Sequence, residues 1–370
     1  MKMKTPKWVH LVIAFGLFAV IIASSNALFS PADSYLISCG SSQNVTFQGQ
    51  IYSPDSGHPS LKFSGSAKSV VATPNSIAPF PVYQFAQIFT STASYEFGIK
   101  KKGPHWIRLY FFPIPNSGHD LKATTLTVVT ENFVLLNNFT FRNYTGSYMS
   151  REFAVNVDSN SLTLSFIPSN NSVAFVNAIE VVSIPDNLIP DHALALPSTT
   201  VSGILDRALE TVYRLNMGGP LLTAQNDTIG RSWQNDRRYL HVNSSAANAS
   251  VNPSTVKYPA TVTPEIAPNW VYATAEIMGE ANVADSNFNI TWVLNVDRDF
   301  TYLVRVHLCD IIGTAMNTLV FNLYINSDAW ASIDLSTLTG GLAVPFYKDF
   351  VSNSSDSGIC LLYTSDAADE

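Results

Sequence analysis

Along residues 103–114 the chain reads GPHWIRLYFFPI, and along residues 300–311 it reads FTYLVRVHLCDI. Apolar residues take every second position in both: Ile107, Leu109 and Phe111 in one, Val304, Val306 and Leu308 in the other. A period of two marks a strand with one face against a core. Arg108 and Arg305 hold the same place on the opposite phase, 197 residues apart. At that offset Tyr95, Phe97 and Ile99 fall on Trp292, Leu294 and Val296. A charged or Gly/Pro turn separates the two strands of each copy, KKKGP in one and DRDF in the other, so each pair reads as a hairpin.

Further echoes stand in the same order at other offsets, as loop insertions would produce. VYQFAQIF from Val82 matches VYATAEIM from Val271, and FVLLNN from Phe133 resembles NLYINS from Asn322. REF at Arg151 echoes KDF at Lys348, and YLISCG at Tyr35 echoes YRLNMG at Tyr213. One domain fold is therefore used twice. Short strands with turn residues every 8 to 12 positions or so predict an all-β chain of two sandwich or jelly-roll domains. One helix is expected, over 204–216, where Leu205, Ala208, Leu209 and Val212 share a face. The stretch 185–203, with three prolines, reads as the linker between a first domain at 28–184 and a second at 204–359.

The chain of 370 residues suits two domains of about 150 to 170 residues each. Charged residues make up 13%, about half the usual fraction, so the surface is covered by other polar groups. Nine N-x-S/T acceptors are present, at Asn44, Asn138, Asn143, Asn170, Asn226, Asn243, Asn248, Asn289 and Asn353. With Phe288, Ile290, Trp292, Leu294 and Val296 facing inward, Asn289 falls on the outward phase, where a glycan fits. Lys2, Lys4 and Lys7, an apolar run from Val9 to Ala23 and small residues up to Ala27 predict a secretory signal peptide at 1–27. No later run is long enough to span a bilayer.

Candidate chemistry is sparse. Cys39, Cys309 and Cys360 are odd in number and far apart, so buried free thiols are expected, with a bridge between the halves as the alternative. The seven histidines are scattered and no metal or esterase motif occurs; no metal, no cofactor and no nucleic-acid partner are expected. The kinase motifs V-A-I-K, H-R-D and D-F-G are absent, and no catalytic residue is assigned. His105 reads as a packed histidine, and Gly218 and Gly219 as a tight turn. Asp297 and Asp299 form a turn in which calcium ligation is the weaker alternative. Tyr95, Phe97, Phe111 and Trp292 are core, whereas Trp233, Tyr239, Trp270 and Trp330 are the candidates for stacking on a sugar. Lys100, Lys101 and Lys102 with Arg108 are the one basic cluster, read as a solvated turn.

The blocks YLISCGSSQNVTF, HWIRLYF, FVLLNNF, LTLSFIPSNNSVAFVNAIEVVSIPDNLIPD and NTLVFNLYIN carry a resemblance, as does ETVYRLNMGGPLLTAQNDTIGRSWQNDRRYLHVNSS. They resemble the paired malectin-like domains of plant receptor-like kinases of the Catharanthus type, in the THESEUS pattern, over about residues 28–359. The resemblance implies an ectodomain that monitors the cell wall and precedes a transmembrane helix and a cytosolic Ser/Thr kinase. It implies binding of secreted basic peptides of the rapid-alkalinization-factor class with a glycolipid-anchored co-receptor. The net charge of -7 would steer a basic ligand. The alternative is a carbohydrate-binding module for cell-wall polysaccharide. After KDFVSNSSDSGI the chain departs from the pattern into CLLYTSDAADE. That tail, 360–370, reads as a sequencing artefact, leaving the second domain without counterparts of LTLSFIPS and AFVNAIEVV.

Overall fold

A computed structural model describes residues 29–73, 78–116, 118–142, 146–279, 289–354 and 358–365. The expected signal peptide, Asn143, Phe288 and residues 366–370 lie outside the described residues.

The first repeat closes two sheets over one core. Its larger sheet runs in the order Leu209–Glu210, Met149–Val157, Gly103–Phe111, Ala178–Ser183, Ser34–Ser38, Gln50–Pro54, Val45–Phe47. The smaller runs Val134–Thr140, Thr125–Val129, Ser161–Pro168, Ala93–Gly98, Leu61–Ser64. A third, short sheet joins Ala174–Val176, Phe85–Phe89 and Ala67–Val71. Tyr95, Phe97, Ile107, Leu109 and Phe111, the residues singled out by the alternation, are all fully buried and share one cluster. Burying each large apolar side chain is worth about 1.5–3 kcal/mol, which is what fixes the register of these strands.

The expected hairpins do not form. Ala93–Gly98 and Gly103–Phe111 belong to different sheets, and the same holds for Asn289–Leu294 and Thr301–Leu308. The apolar phases of both strands do face one core, but from opposite layers. At the crossing, the backbone N–H groups of Lys100 and Lys101 donate to the Asp33 carboxylate at 2.9 and 3.1 Å instead of closing a two-strand ladder. Gly103, at φ 128°, makes the turn into the second layer.

The second repeat reproduces this plan in its own pieces. Thr301–Leu308 pairs with Phe346–Asn353 as Gly103–Phe111 pairs with Met149–Val157, and Arg305 stands opposite Asp349 as Arg108 stands opposite Glu152. Ala246–Ser250 pairs with Thr274–Met278 as Ala67–Val71 pairs with Phe85–Phe89. The YLISCG and YRLNMG echo is also structural: Ile37 pairs in parallel with Ser53, and Leu215 with Gln234. Each ends in a left-handed glycine, Gly40 at φ 79° and Gly218 at φ 65°. A Cβ there would lie 2.7 Å from the Ala86 carbonyl oxygen in the first repeat and 2.1 Å from the Ala275 carbonyl oxygen in the second. The FVLLNN and NLYINS echo, by contrast, is not an equivalence. Val320–Ile325 sits beside Ile359–Ser365 as Thr125–Val129 sits beside Ser161–Pro168, so NLYINS answers to the Thr125–Val129 strand and not to FVLLNN.

Three other expectations are corrected. Residues 204–216 form no helix: Leu209–Glu210 pairs with Phe153 and Ala154 on the edge of the first repeat's sheet, and Leu215–Asn216 pairs in the second repeat. An isolated helix of this length is marginal in water. The open ladder of Met149–Val157 offers backbone partners, and Ala208 packs on the first core while Leu215 packs on the second. Within 185–203, His192–Ala195 pairs in parallel with Phe346–Asn353, and Leu194 and Leu196 pack on the second core. Residues 360–365 are not outside the fold: Ile359–Ser365 is a strand between Asn289–Leu294 and Val320–Ile325, the place that Ser161–Pro168 holds in the first repeat. Leu361 supplies a buried apolar side chain to the core there, which is the alternation that ICLLYTS carries. The counterpart of LTLSFIPS is therefore present.

Candidate functional site

The residues that bring the two repeats together come from the outward phase of the alternating strand. Trp106 is 5% exposed and forms a cluster with Ala154 of its own repeat and with Leu222, Trp233, Ile266 and Tyr272 of the second. Three guanidinium groups surround its ring, with the Arg108, Arg214 and Arg231 carbons 5.3, 5.6 and 5.8 Å from the centroid. Their charge is balanced locally. Arg108 donates to Glu152 and, at 2.8 Å, to Glu180; Arg214 donates to the other oxygen of Glu152. Arg231 binds both oxygens of Asp227 at 3.0 and 2.9 Å, and Trp233 Nε1 donates to Asp227 at 2.9 Å.

The electrostatics follow from this pairing. Burial alone would raise Glu152, but Arg214 and Arg108 hold it well below the usual carboxylate range. Burial lowers Arg231 to about 10 against the attraction of Asp227. His307, which shares a 3.0 Å hydrogen bond with the Tyr272 hydroxyl, is pushed well below its ordinary value by burial and by Arg305, Arg231 and Arg214. Such a junction ties the two repeats together through paired charges around one ring. Among the described residues no group of three or more His, Cys, Asp or Glu side chains is placed to hold a metal, and no helix is long and apolar enough to cross a membrane.

The candidates from sequence scatter. Arg108 is half-buried in the junction and does not extend the lysine cluster; Lys100, Lys101 and Lys102 are exposed, and Lys101 pairs with Asp186 at 2.8 Å. Of the sugar candidates, Trp233 is buried in the junction, and Trp330 packs against Phe346 and Phe350. Tyr239 packs on Tyr213 and Arg238, and Trp270 alone of the four is well exposed. His105 is fully buried, with Nδ1 2.9 Å from the Gly103 carbonyl oxygen. All three cysteines are free thiols. Asn44, Asn138, Asn170, Asn226, Asn243, Asn248 and Asn353 are exposed, and Asn289 is half-buried.

One surface feature went unread. Phe80 (42% exposed) and Tyr148 (38% exposed) meet edge to face at 5.4 Å, backed by Tyr83 at 5.2 Å from Tyr148 and by Phe47 at 5.7 Å from Phe80. The four rings come from three segments, with only Phe80 and Tyr83 close in sequence, so no local pattern announces them. Together they make an aromatic face at the end of the first repeat.

The malectin-like domain family matches residues 37–368. The chain is 61% identical to the receptor-like protein kinase THESEUS 1 of Arabidopsis thaliana over 348 residues, which is 93% of this chain and 41% of that protein. It is thus similar to less than half of that relative's length. Among solved structures it superposes on the ANXUR1 extracellular domain from Arabidopsis thaliana with a TM-score of 0.82 at 29% identity, covering 91% of this chain and 92% of that one. It superposes on a structure of the plant peptide RALF23 in complex with FER and LLG2 with a TM-score of 0.79 at 30% identity, covering 91% of this chain and 90% of that one. Two copies of one β-sandwich, joined through Trp106 and its arginines and matched over nearly their whole length, place the chain in the malectin-like family, in the tandem form that receptor-like kinases carry as their ectodomain.

Proposed function

We propose that this chain is the extracellular ligand-binding region of a plant cell-wall-sensing receptor-like Ser/Thr kinase at the plasma membrane. It binds a secreted basic peptide of the rapid-alkalinization-factor class together with a glycolipid-anchored co-receptor. The observation that carries this reading is the likeness, over 91% of the chain, to FER as it stands in complex with RALF23 and LLG2. The net charge of -7 favours encounter with a basic ligand. The exposed sequon asparagines make the chain a glycoprotein of the secretory pathway in this reading. Co-elution of the chain, the peptide and a co-receptor ectodomain as one species on size exclusion is the expected result. Elution of the three at their separate volumes would remove the reading.

A second reading, polysaccharide binding, is supported by the exposed aromatic face at Phe80 and Tyr148. It is the less favoured one, because the likeness to a peptide complex supports the first reading directly. Phe80→Ala and Tyr148→Ala leave the peptide reading untouched and would abolish retention on a polysaccharide column if the second reading holds.

A further inference from the structure

Gly40 and Gly218, the matched left-handed glycines, are held by matched acids. The Gly40 N–H donates to Asp55 at 3.3 Å and the Gly218 N–H to Asp236 at 3.0 Å. The second oxygen of each acid takes a ring donor from one place in the fold, the Tyr95 hydroxyl at 2.8 Å and Trp292 Nε1 at 2.7 Å. In the first repeat a third side chain completes the cluster, since Gln87 Nε2 donates to Asp55 at 3.2 Å. Gln87 stands opposite Ser69 in its ladder, and the residue that stands opposite Asn248 in the matching ladder of the second repeat is Glu276. An amide donor in one copy is thus a carboxyl in the other, beside the fully buried Asp236. We propose that Asp236 and Glu276 hold one proton between them and form a pH-sensitive clasp, closed in acid and loosened toward neutral pH, that keeps the Gly218 turn on Thr274–Met278.

Only a protonated carboxyl can do what the Gln87 amide does, which is to donate toward the aspartate. As a carboxylate, Glu276 sets a second negative charge beside Asp236, and neighbouring carboxylates resist ionising together. Both Glu276 oxygens are buried with no hydrogen-bond partner among the described residues, so no donor there favours the charged form. Burial first, then Asp236, raises Glu276 to about 7. Arg237 opposes that rise, but it is exposed and donates to the Asn248 side chain at 3.2 Å. The other strands packed there, Leu215–Asn216, Ala246–Ser250 and Asn289–Leu294, carry no charged side chain. On its other side Gln87 has Val176, so the strand that flanks this position in the first repeat adds no donor to it. The turn itself has no slack: a Cβ on Gly218 would lie 2.1 Å from the carbonyl oxygen of Ala275, the residue before Glu276. Arg214, which reaches Glu152 across the junction, lies on the same segment, and its carbonyl accepts from Gln234 N at 2.8 Å. Release of the proton to water therefore loosens the second repeat next to the junction.

Hydrogen exchange of the full chain at about pH 5 and about pH 8, each corrected for the intrinsic exchange rate, reads the clasp. Protection of 215–219 and of Thr274–Met278 should fall at least about tenfold at the higher pH, the factor that one unit of pKa shift carries. The Gly40 turn and Phe85–Phe89 should not change. Glu276→Gln should hold the second turn at both pH values, and Gln87→Glu should carry the pH dependence into the first repeat. At about pH 6, where an exposed glutamate is ionised, Glu276→Gln should remove a carboxylic acid C=O band from the infrared spectrum. Equal protection at both pH values, a fall that Glu276→Gln shares, or a fall of the same size in the first repeat would each overturn the clasp. So would absence of the infrared band, or loss of the acid-state protection on adding EDTA, which would assign the two carboxyls to a cation. The comparison of the two repeats within the unaltered chain stands even where a variant fails to fold.

Discussion

Glu152, on the sheet of the first repeat, and Arg214, at the entry to the second, form an ion pair across the junction, with side chains 12% and 17% exposed. Arg108 holds the same carboxylate from the other side, and the Thr211 hydroxyl donates to it at 2.8 Å. The pair sits beside the Trp106 ring, so its loss exposes both a charge and an apolar cluster.

Unequal costs are expected for its two members. Arg214→Ala leaves Glu152 still bound by Arg108 and should cost about 1.5–3 kcal/mol. Glu152→Ala strands the Arg214 guanidinium beside Trp106, leaves Arg108 with Glu180 alone, and should cost about 3–5 kcal/mol. Urea midpoints measure both, and equal or negligible losses would contradict a junction held by this carboxylate.

Glu276 supplies a pH dependence. Both its carboxylate oxygens are buried without a hydrogen-bond partner among the described residues; burial, then Asp236, raises it to about 7, with Arg237 opposing. Below about pH 4.3 the folded and unfolded chains both hold the proton. As pH rises toward 7 the unfolded chain releases it first, so the folded state loses relative stability across that window and no further above it. Glu276→Gln should therefore gain on the unaltered chain between pH 5 and pH 8 in melting temperature, and a constant gap would refute the assignment.

The two repeats should respond differently at matched positions. Leu109 is fully buried, and Leu109→Ala should cost about 2–5 kcal/mol. Val306, at the same place in the second repeat, is half-buried, and Val306→Ala should cost about 1 kcal/mol. Equal losses in chemical denaturation would mean that the second strand is as well covered as the first.

Glycan occupancy should follow exposure. Peptide mass spectrometry of chain secreted from plant cells should find glycans at Asn44, Asn170 and Asn243, all exposed. Asn289 should be the least occupied, because it is half-buried in a paired strand and accepts from the Thr291 hydroxyl at 3.1 Å. The reverse order would show that the strand forms after glycosylation.

Strand identity and the inward phase were legible because side-chain alternation survives any arrangement of the strands: Ile290, Trp292 and Leu294 are buried as their spacing requires. Partner choice was not. A charged turn between two alternating runs fits a hairpin or a crossing between sheets equally well, and the Asp33 carboxylate that decides it lies far upstream. The 204–216 segment shows the same limit, since its apolar spacing matched a helix while its backbone partners lay on another domain's sheet edge. Ile359–Ser365 was discounted on resemblance although its own alternation was sufficient to build a strand. The junction was half-legible: Arg108 and Arg305 stood out as a repeated pair, but nothing local tied Arg108 to Trp106, Arg214 and Arg231.

The central claim, that this tandem β-sandwich receives a basic peptide, is tested most directly by the salt dependence of that affinity. The chain and co-receptor ectodomain would be titrated calorimetrically with a rapid-alkalinization-factor peptide at about 0.05 M and 0.3 M salt, across which the screening length shortens to well under 10 Å. A dissociation constant that rises several-fold with salt is the result the account requires. Heat-silent titrations at both salt concentrations, or an affinity indifferent to salt, would contradict it.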